Sequence, residues 1–152
     1  MDEPERIGFL SAVLINSSQP ERLASFYREI LGLPLEDEHH GNTSPHYGCE
    51  LGDVHFAIHP RPDAPSDGPI RLAFWVFDLV ALVERLVPRG VELRYPVRQL
   101  GPNSLMTAIF DPDGNEIELT QMGDDWVDHL AAHRSDGADV IQTARRSAGK
   151  RV

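Results

Sequence analysis

Apolar positions along the chain change period in a repeating order. After a polar start over residues 1–6, Ile7 to Asn16 is an apolar run of strand type. Ser17-Ser18-Gln19-Pro20 then marks a helix start, with serine as the expected cap and Pro20 near the first helical position, where a missing N–H costs nothing. Leu23, Phe26, Tyr27, Ile30 and Leu31 follow at helical spacing and form one apolar stripe. Gly32 supplies the left-handed residue that ends such a helix. Leu35 to His39 reads as a second strand, and Gly-Asn-Thr-Ser-Pro over residues 41–45 as a polar turn. His46 to Leu51 and Val54 to His59 form a hairpin about Gly52-Asp53.

Pro60, Pro62, Pro65 and Pro69 then fall within ten residues, a stretch that suits neither helix nor central strand and reads as a linker. Beyond it the plan recurs. Ile70 to Phe77 is a strand, and Asp78 caps a helix with apolar positions Leu79, Leu82, Val83, Leu86 and Val87. Pro88 frays its last turn and Gly90 closes it. Val91 to Val97 and Ser104 to Phe110 are strands joined around Gly101-Pro102-Asn103. Asp111-Pro112-Asp113-Gly114 is a strong turn signal, since Pro112 presets φ and Gly114 accepts a positive φ. In the final strand Ile117 and Leu119 alternate with Glu116, Glu118 and Thr120, so Glu118 points away from the core.

Strand, helix and three strands thus occur twice, which predicts an α+β fold of two tandem βαβββ units, about 7–59 and 70–122. His55 to His59 aligns with Glu116 to Thr120, making Ala57 the counterpart of Glu118. Phe56 and Ile58 match Ile117 and Leu119 as helix-facing residues. His55, Ala57 and His59 therefore share a face that corresponds to the face of Glu118. Asp124 to His133 is expected to add a short amphipathic helix through Trp126, Val127 and Leu130, and 123–152 a C-terminal helix and basic tail.

A length of 152 residues suits one domain or two fused half-domains. The formal charge of -10 argues against a phosphate-backbone binder, so nucleic acid is not an expected partner. The one cysteine, Cys49, has no internal disulfide partner and reads as a small buried residue. No run reaches the roughly 20 apolar residues of a membrane span, and Met-Asp-Glu-Pro-Glu-Arg lacks the basic start of a signal peptide, so a cytoplasmic protein without membrane contact is expected.

Ala-Ser-Phe-Tyr-Arg-Glu-Ile-Leu-Gly-Leu in the first helix, Asp-Pro-Asp-Gly-Asn-Glu-Ile-Glu-Leu near the end and the doubled unit together resemble the vicinal oxygen chelate superfamily over about residues 7–122. That superfamily includes glyoxalase I, fosfomycin-resistance transferases, extradiol dioxygenases and bleomycin-resistance proteins. The resemblance implies that each unit curls into a partial barrel around a shared cavity. It also implies a homodimer and, in the metal-dependent members, a divalent ion held from the first and last strands of both units. Matched strand by strand, the ligand positions fall at Ser11, Ala57, Arg71 and Glu118. Only Glu118 has ordinary ligand chemistry, and an arginine adds a competing charge, so no metal cofactor is expected. Arg71 and Glu118 are expected to pair, the guanidinium standing where the ion would.

The expected ligand-binding residues are His55, Ala57, His59, Arg71, Ala73, Trp75, Met106, Ala108 and Glu118, an apolar pocket with a few polar groups for a small organic molecule. Core packing is the competing account of Trp75 and Met106. His39, His40 and His46 lie near a loop and read as solvated, with His46 a candidate pocket residue. The leading expectation is a glyoxalase-like small-molecule-binding protein that sequesters a drug or metabolite in the manner of bleomycin-resistance proteins. The alternatives are a lyase, isomerase or dioxygenase, either with a divalent metal ion on Glu118, His55 and His59 or metal-free with Glu118 as catalytic base, and a non-catalytic interaction module.

Overall fold

The computed structural model describes residues 10–39, 45–123 and 128, and in them the two alternating patterns become two four-stranded mixed sheets. The chain divides between Pro65 and Ser66, inside the proline-rich linker. In the first unit β1 (Ala12–Ser17) is followed by α1 (Pro20–Ser25), which runs on into a π-helical turn (Phe26–Ile30). Then come β2 (Glu36–Glu38), β3 (His46–Leu51) and β4 (Val54–Pro60). The sheet order is β1-β4-β3-β2, with β1 parallel to β4 and the other pairs antiparallel.

Pro20 opens α1 as expected, but no side chain caps the helix. Ser17 instead accepts the N–H of Gln19 at 3.1 Å, a local turn that competes with capping. The continuous α-helix expected through Leu31 widens, because the Leu31 N–H donates five residues back to Phe26 at 3.1 Å. The wider turn buries both Phe26 and Tyr27, and the Tyr27 ring packs 5.2 Å from that of Phe56 on β4. Gly32 then adopts φ 78°, ending the helix as the sequence indicates. Ile15, Leu23, Phe56 and Ile58 complete the helix side of the sheet, with Cys49 buried among the core residues. Burial raises the Cys49 thiol above its usual pKa, with Glu50 and Glu38 adding to the effect, so the reading of a structural cysteine holds.

The second unit contains β5 (Arg71–Trp75), α2 (Leu79–Leu86) ending in a 3-10 turn (Val87–Arg89), β6 (Leu93–Gly101), β7 (Ser104–Phe110) and β8 (Glu116–Gln121). Its order, β5-β8-β7-β6, with β5 parallel to β8, repeats that of the first sheet. The Asp78 carboxylate accepts from the Ala81 N–H at 3.0 Å and caps α2, while the Gln121 side chain accepts from the Leu79 N–H at 2.8 Å. Leu79 and Leu86 are fully buried, but Val87 of the expected stripe is exposed. Pro88 tightens the last turn there and rotates Val87 off the apolar face. Strand β6 starts two residues later than expected and runs four residues further, and its register with β7 shifts repeatedly.

The turn before β8 is a buried polar knot. Asp111 Oδ1 accepts from the N–H groups of Asp113 and Asn115, each at 2.9 Å, and Oδ2 accepts from Asn115 Nδ2 at 2.9 Å. Asn115 Oδ1 in turn accepts from the Ile70 N–H at 3.0 Å. Gly68, at φ 76°, donates to Asp113 O at 2.9 Å and lies so close to Gly114 that a methyl group would overlap its carbonyl. The knot thus fixes the starts of β5 and β8 together, which places Arg71 beside Glu116.

The strand start at residues 7–9, most of the turn over 41–45 and His40 lie outside the described residues. So do the helix expected over 124–133, apart from residue 128, and the tail over 134–152. Among the described residues no helix is long and apolar enough to cross a membrane.

Candidate functional site

Register turns the sheet face of the second unit into three rows. The middle row runs Ala73, Glu118, Ala108 and Tyr95 across β5, β8, β7 and β6. One flanking row holds Trp75, Thr120, Met106 and Arg98, and the other holds Arg71, Glu116 and Phe110. Alanines stand on both sides of Glu118, Ala108 fully buried and Ala73 exposed, so the face is low on the Ala73 side and forms a shallow trough beside Trp75 and Arg71. Directly paired residues share a sheet face, so all six expected binding residues of this unit, Arg71, Ala73, Trp75, Met106, Ala108 and Glu118, are brought together.

Glu118 is held as expected. Arg71 Nη2 donates to Glu118 Oε2 at 2.9 Å, and Arg71 Nε meets Glu116 Oε2 at 3.0 Å. Arg94 Nη1 pairs with Glu116 Oε1. One guanidinium therefore bridges two carboxylates, and a second compensates the remaining charge. Glu118 Oε1 accepts from the Thr120 hydroxyl at 3.5 Å, a long contact that leaves this oxygen a weakly engaged acceptor of the trough. Trp75 and Phe77 are partly exposed, with rings 4.4 Å apart, and the Arg98 guanidinium stacks 3.7 Å over the Tyr95 ring.

The first unit has the same three-row plan and different chemistry. Leu14, Ala57, Gly48 and Glu36 form its middle row. Asn16, His59, His46 and Glu38 form one flank by continuation of the pairing, and Ala12, His55 and Glu50 the other. His55 and His59 do share the face of Ala57. They engage neighbours from other strands: His55 Nδ1 meets Glu50 Oε1 at 2.5 Å, His55 Nε2 meets Glu38 Oε2 at 3.3 Å, and the His59 ring stacks on that of His46 at 4.2 Å. His46, expected to be solvated, is buried, because stacking and a 3.1 Å contact to Glu38 Oε2 draw it onto the sheet. Burial holds the His59 pKa below its usual value, the neighbouring His46 and His55 acting in the same direction and Glu38 opposing them.

This arrangement does not fit the usual divalent site. Among the described residues no three His, Cys, Asp or Glu side chains group as metal ligands. Glu118 faces a guanidinium, while His55 and His59 each meet carboxylate or imidazole neighbours of their own sheet. The parallel register also pairs Ala12, not Ser11, with His55, as Arg71 pairs with Glu116, so the position corresponding to Arg71 carries a methyl group. Glu116, Arg94, Glu38 and Glu50 were missing from the expected site. The alternation of β8 and the hairpin pairing about Gly52-Asp53 contain the signal for Glu116 and Glu50. Arg94 and Glu38 depend on irregular or long-range pairing.

A search of curated proteins finds no match. Among solved structures, TnmS3, an antibiotic binding protein from Streptomyces sp. CB03234, aligns with 26% identity and a TM-score of 0.63, covering 78% of this chain and 99% of that one. A glyoxalase family protein from Enterococcus faecalis aligns with 27% identity and a TM-score of 0.58, covering 74% of this chain and 96% of that one. A glyoxalase/bleomycin resistance protein/dioxygenase from Nocardioides, at 18% identity and a TM-score of 0.60, covers 79% of this chain and 87% of its own and shares the fold. The family model of the Glyoxalase/Bleomycin resistance protein/Dioxygenase superfamily matches residues 9–119, and the chain belongs to that superfamily.

Proposed function

We propose that this chain binds a small organic molecule in the trough of the second unit, with Arg71 and Glu118 as polar anchors in place of a divalent ion. The observation that carries the reading is the 2.9 Å Arg71–Glu118 pair set between Ala73 and Ala108. A guanidinium is a permanent cation with planar donors, so it neutralises the carboxylate without needing further ligands. A flat apolar ligand lies over the exposed Ala73, flanked by Trp75, and a donor group on it reaches Glu118 Oε1. Such a mix of apolar walls and few polar groups is the usual composition of a small-molecule site.

The antibiotic binding of TnmS3, at 26% identity, supports a drug or metabolite as the ligand. In the same reading two copies form a homodimer, and the domain extends over 7–122. Binding without chemical conversion is the function, as in sequestration.

The test is a thermal-shift screen of antibiotics and aromatic metabolites on the full chain and on Ala73→Leu, since a ligand of the native state raises its apparent stability. Ala73 is exposed on the edge strand, so leucine fills the trough without entering the core. A compound that stabilises the parent and loses that effect in Ala73→Leu supports the site. Equal stabilisation of both proteins contradicts it.

A further inference from the structure

In the first unit the trough is filled by the protein itself. Gly48 and Ala57 form its floor, and Glu38 reaches over from the edge strand β2. A methyl group on Gly48 would overlap the Glu38 carboxylate, so that carboxylate occupies the space the glycine leaves. Two imidazoles converge on one of its oxygens: His46 Nε2 at 3.1 Å and His55 Nε2 at 3.3 Å from Glu38 Oε2.

Both rings are oriented independently of Glu38. The Glu50 carboxylate at His55 Nδ1 sets the plane of His55, and the His59 ring, inclined by 13° to that of His46, sets the plane of His46. Preset donors aimed at one carboxylate oxygen are a recognition site for that group, because ordering is paid before binding. The occupant is supplied by a strand of three residues that, among the described residues, pairs with β3 alone. Beyond Ala57 in the same row lies Leu14, 55% exposed, an apolar support for the carbon part of an incoming molecule.

We propose that the first unit's sheet face is a second binding site, for small apolar carboxylates, which Glu38 occupies in cis and a ligand carboxylate takes by displacing it. The site is separate in residues and chemistry from the Arg71–Glu118 trough. Its affinity is set by competition: an internal carboxylate acts as a tethered ligand and lowers the apparent affinity for a free one.

Benzoate is the probe, with benzamide as its neutral counterpart, and imidazole 15N–1H spectra of the full chain are the readout. Glu38→Ala is expected to bind benzoate at least tenfold more tightly than the parent, with saturable shifts of His46 and His55, and to bind benzamide no better than the parent does. Glu38→Gln keeps the shape and an acceptor without the charge, and is expected to bind benzoate at least threefold more tightly than the parent. If Glu38→Ala does not fold, Glu38→Gln decides. A folded variant that responds to benzoate no more tightly than the parent overturns the proposal, as does equal binding of benzoate and benzamide.

Discussion

Replacing Asp111 by alanine tests the claim that a buried turn positions the site. Asp111 is 5% exposed, and its carboxylate accepts three hydrogen bonds, two from backbone N–H groups and one from the Asn115 side chain. Hydrogen bonds to a charged group contribute about 1.5–3 kcal/mol each, and a buried donor left without a partner costs about 1–3 kcal/mol. The three bonds share one acceptor and are not additive, and water entering the vacated space recovers part of the loss. The expected destabilisation is therefore about 3–5 kcal/mol, against a total of about 5–15 kcal/mol for a typical domain. At about 2–4 °C per kcal/mol for a chain of this size, the melting temperature falls by roughly 6–20 °C. Asp111→Asn is milder, because its amide oxygen still serves both backbone donors while its NH2 faces that of Asn115. Thermal and urea unfolding followed by circular dichroism measure both variants. A loss under about 1 kcal/mol for Asp111→Ala would refute the knot as a structural anchor.

Three further outcomes follow from the same geometry. His59 has a folded pKa below its ordinary value of 6.5, so the unfolded chain takes up the proton first, and the stability it contributes above that pH is lost as pH falls toward the folded pKa. His59→Gln should show a shallower loss of urea midpoint between pH 7.5 and 5.5 than the parent, and an equal or steeper loss contradicts this. Gly68→Ala meets the Gly114 carbonyl at a positive φ and should cost more than about 2 kcal/mol, whereas Gly90→Ala, also at positive φ but with nothing within 4 Å, should cost only about 1–2 kcal/mol. Unfolding midpoints of the two variants check the order. Arg71→Ala should change stability by less than about 1 kcal/mol, since Arg71 is 63% exposed and solvent screens its pairs, while removing most ligand affinity. Calorimetric titration beside a thermal melt separates the two effects.

Local signals made much of the framework legible. Pro112 and Gly114 announced the turn, Asp78 the helix cap, Gly32 and Gly90 the helix ends, and period-two alternation placed Glu118 on the face opposite Ile117. The pairing of Arg71 with Glu118 followed from the resemblance, which puts both residues at ligand positions of the superfamily. What stayed hidden depends on partners distant in sequence. That Asp111 is buried under three donors, and that Asn115 reaches Ile70 across 45 positions, cannot be read from turn propensity. The π-helical turn at Phe26 accompanies the burial of two adjacent aromatic rings, Tyr27 against Phe56 of β4 and Phe26 edge-on to Tyr27, which no periodicity encodes. His46 looked solvated because it follows a polar loop, yet continuing the hairpin register from Tyr47 and Ile58 puts it opposite His59, where stacking buries it. Glu38 was hidden further still, since its place over Gly48 depends on an edge strand of three residues.

In the proposed function a guanidinium takes the place of a divalent ion at Glu118. Elemental analysis of the protein purified without chelator tests it most directly. Zinc, nickel, iron, manganese and copper are each expected far below one ion per chain. One full equivalent of a divalent metal that disappears in Glu118→Gln would contradict it.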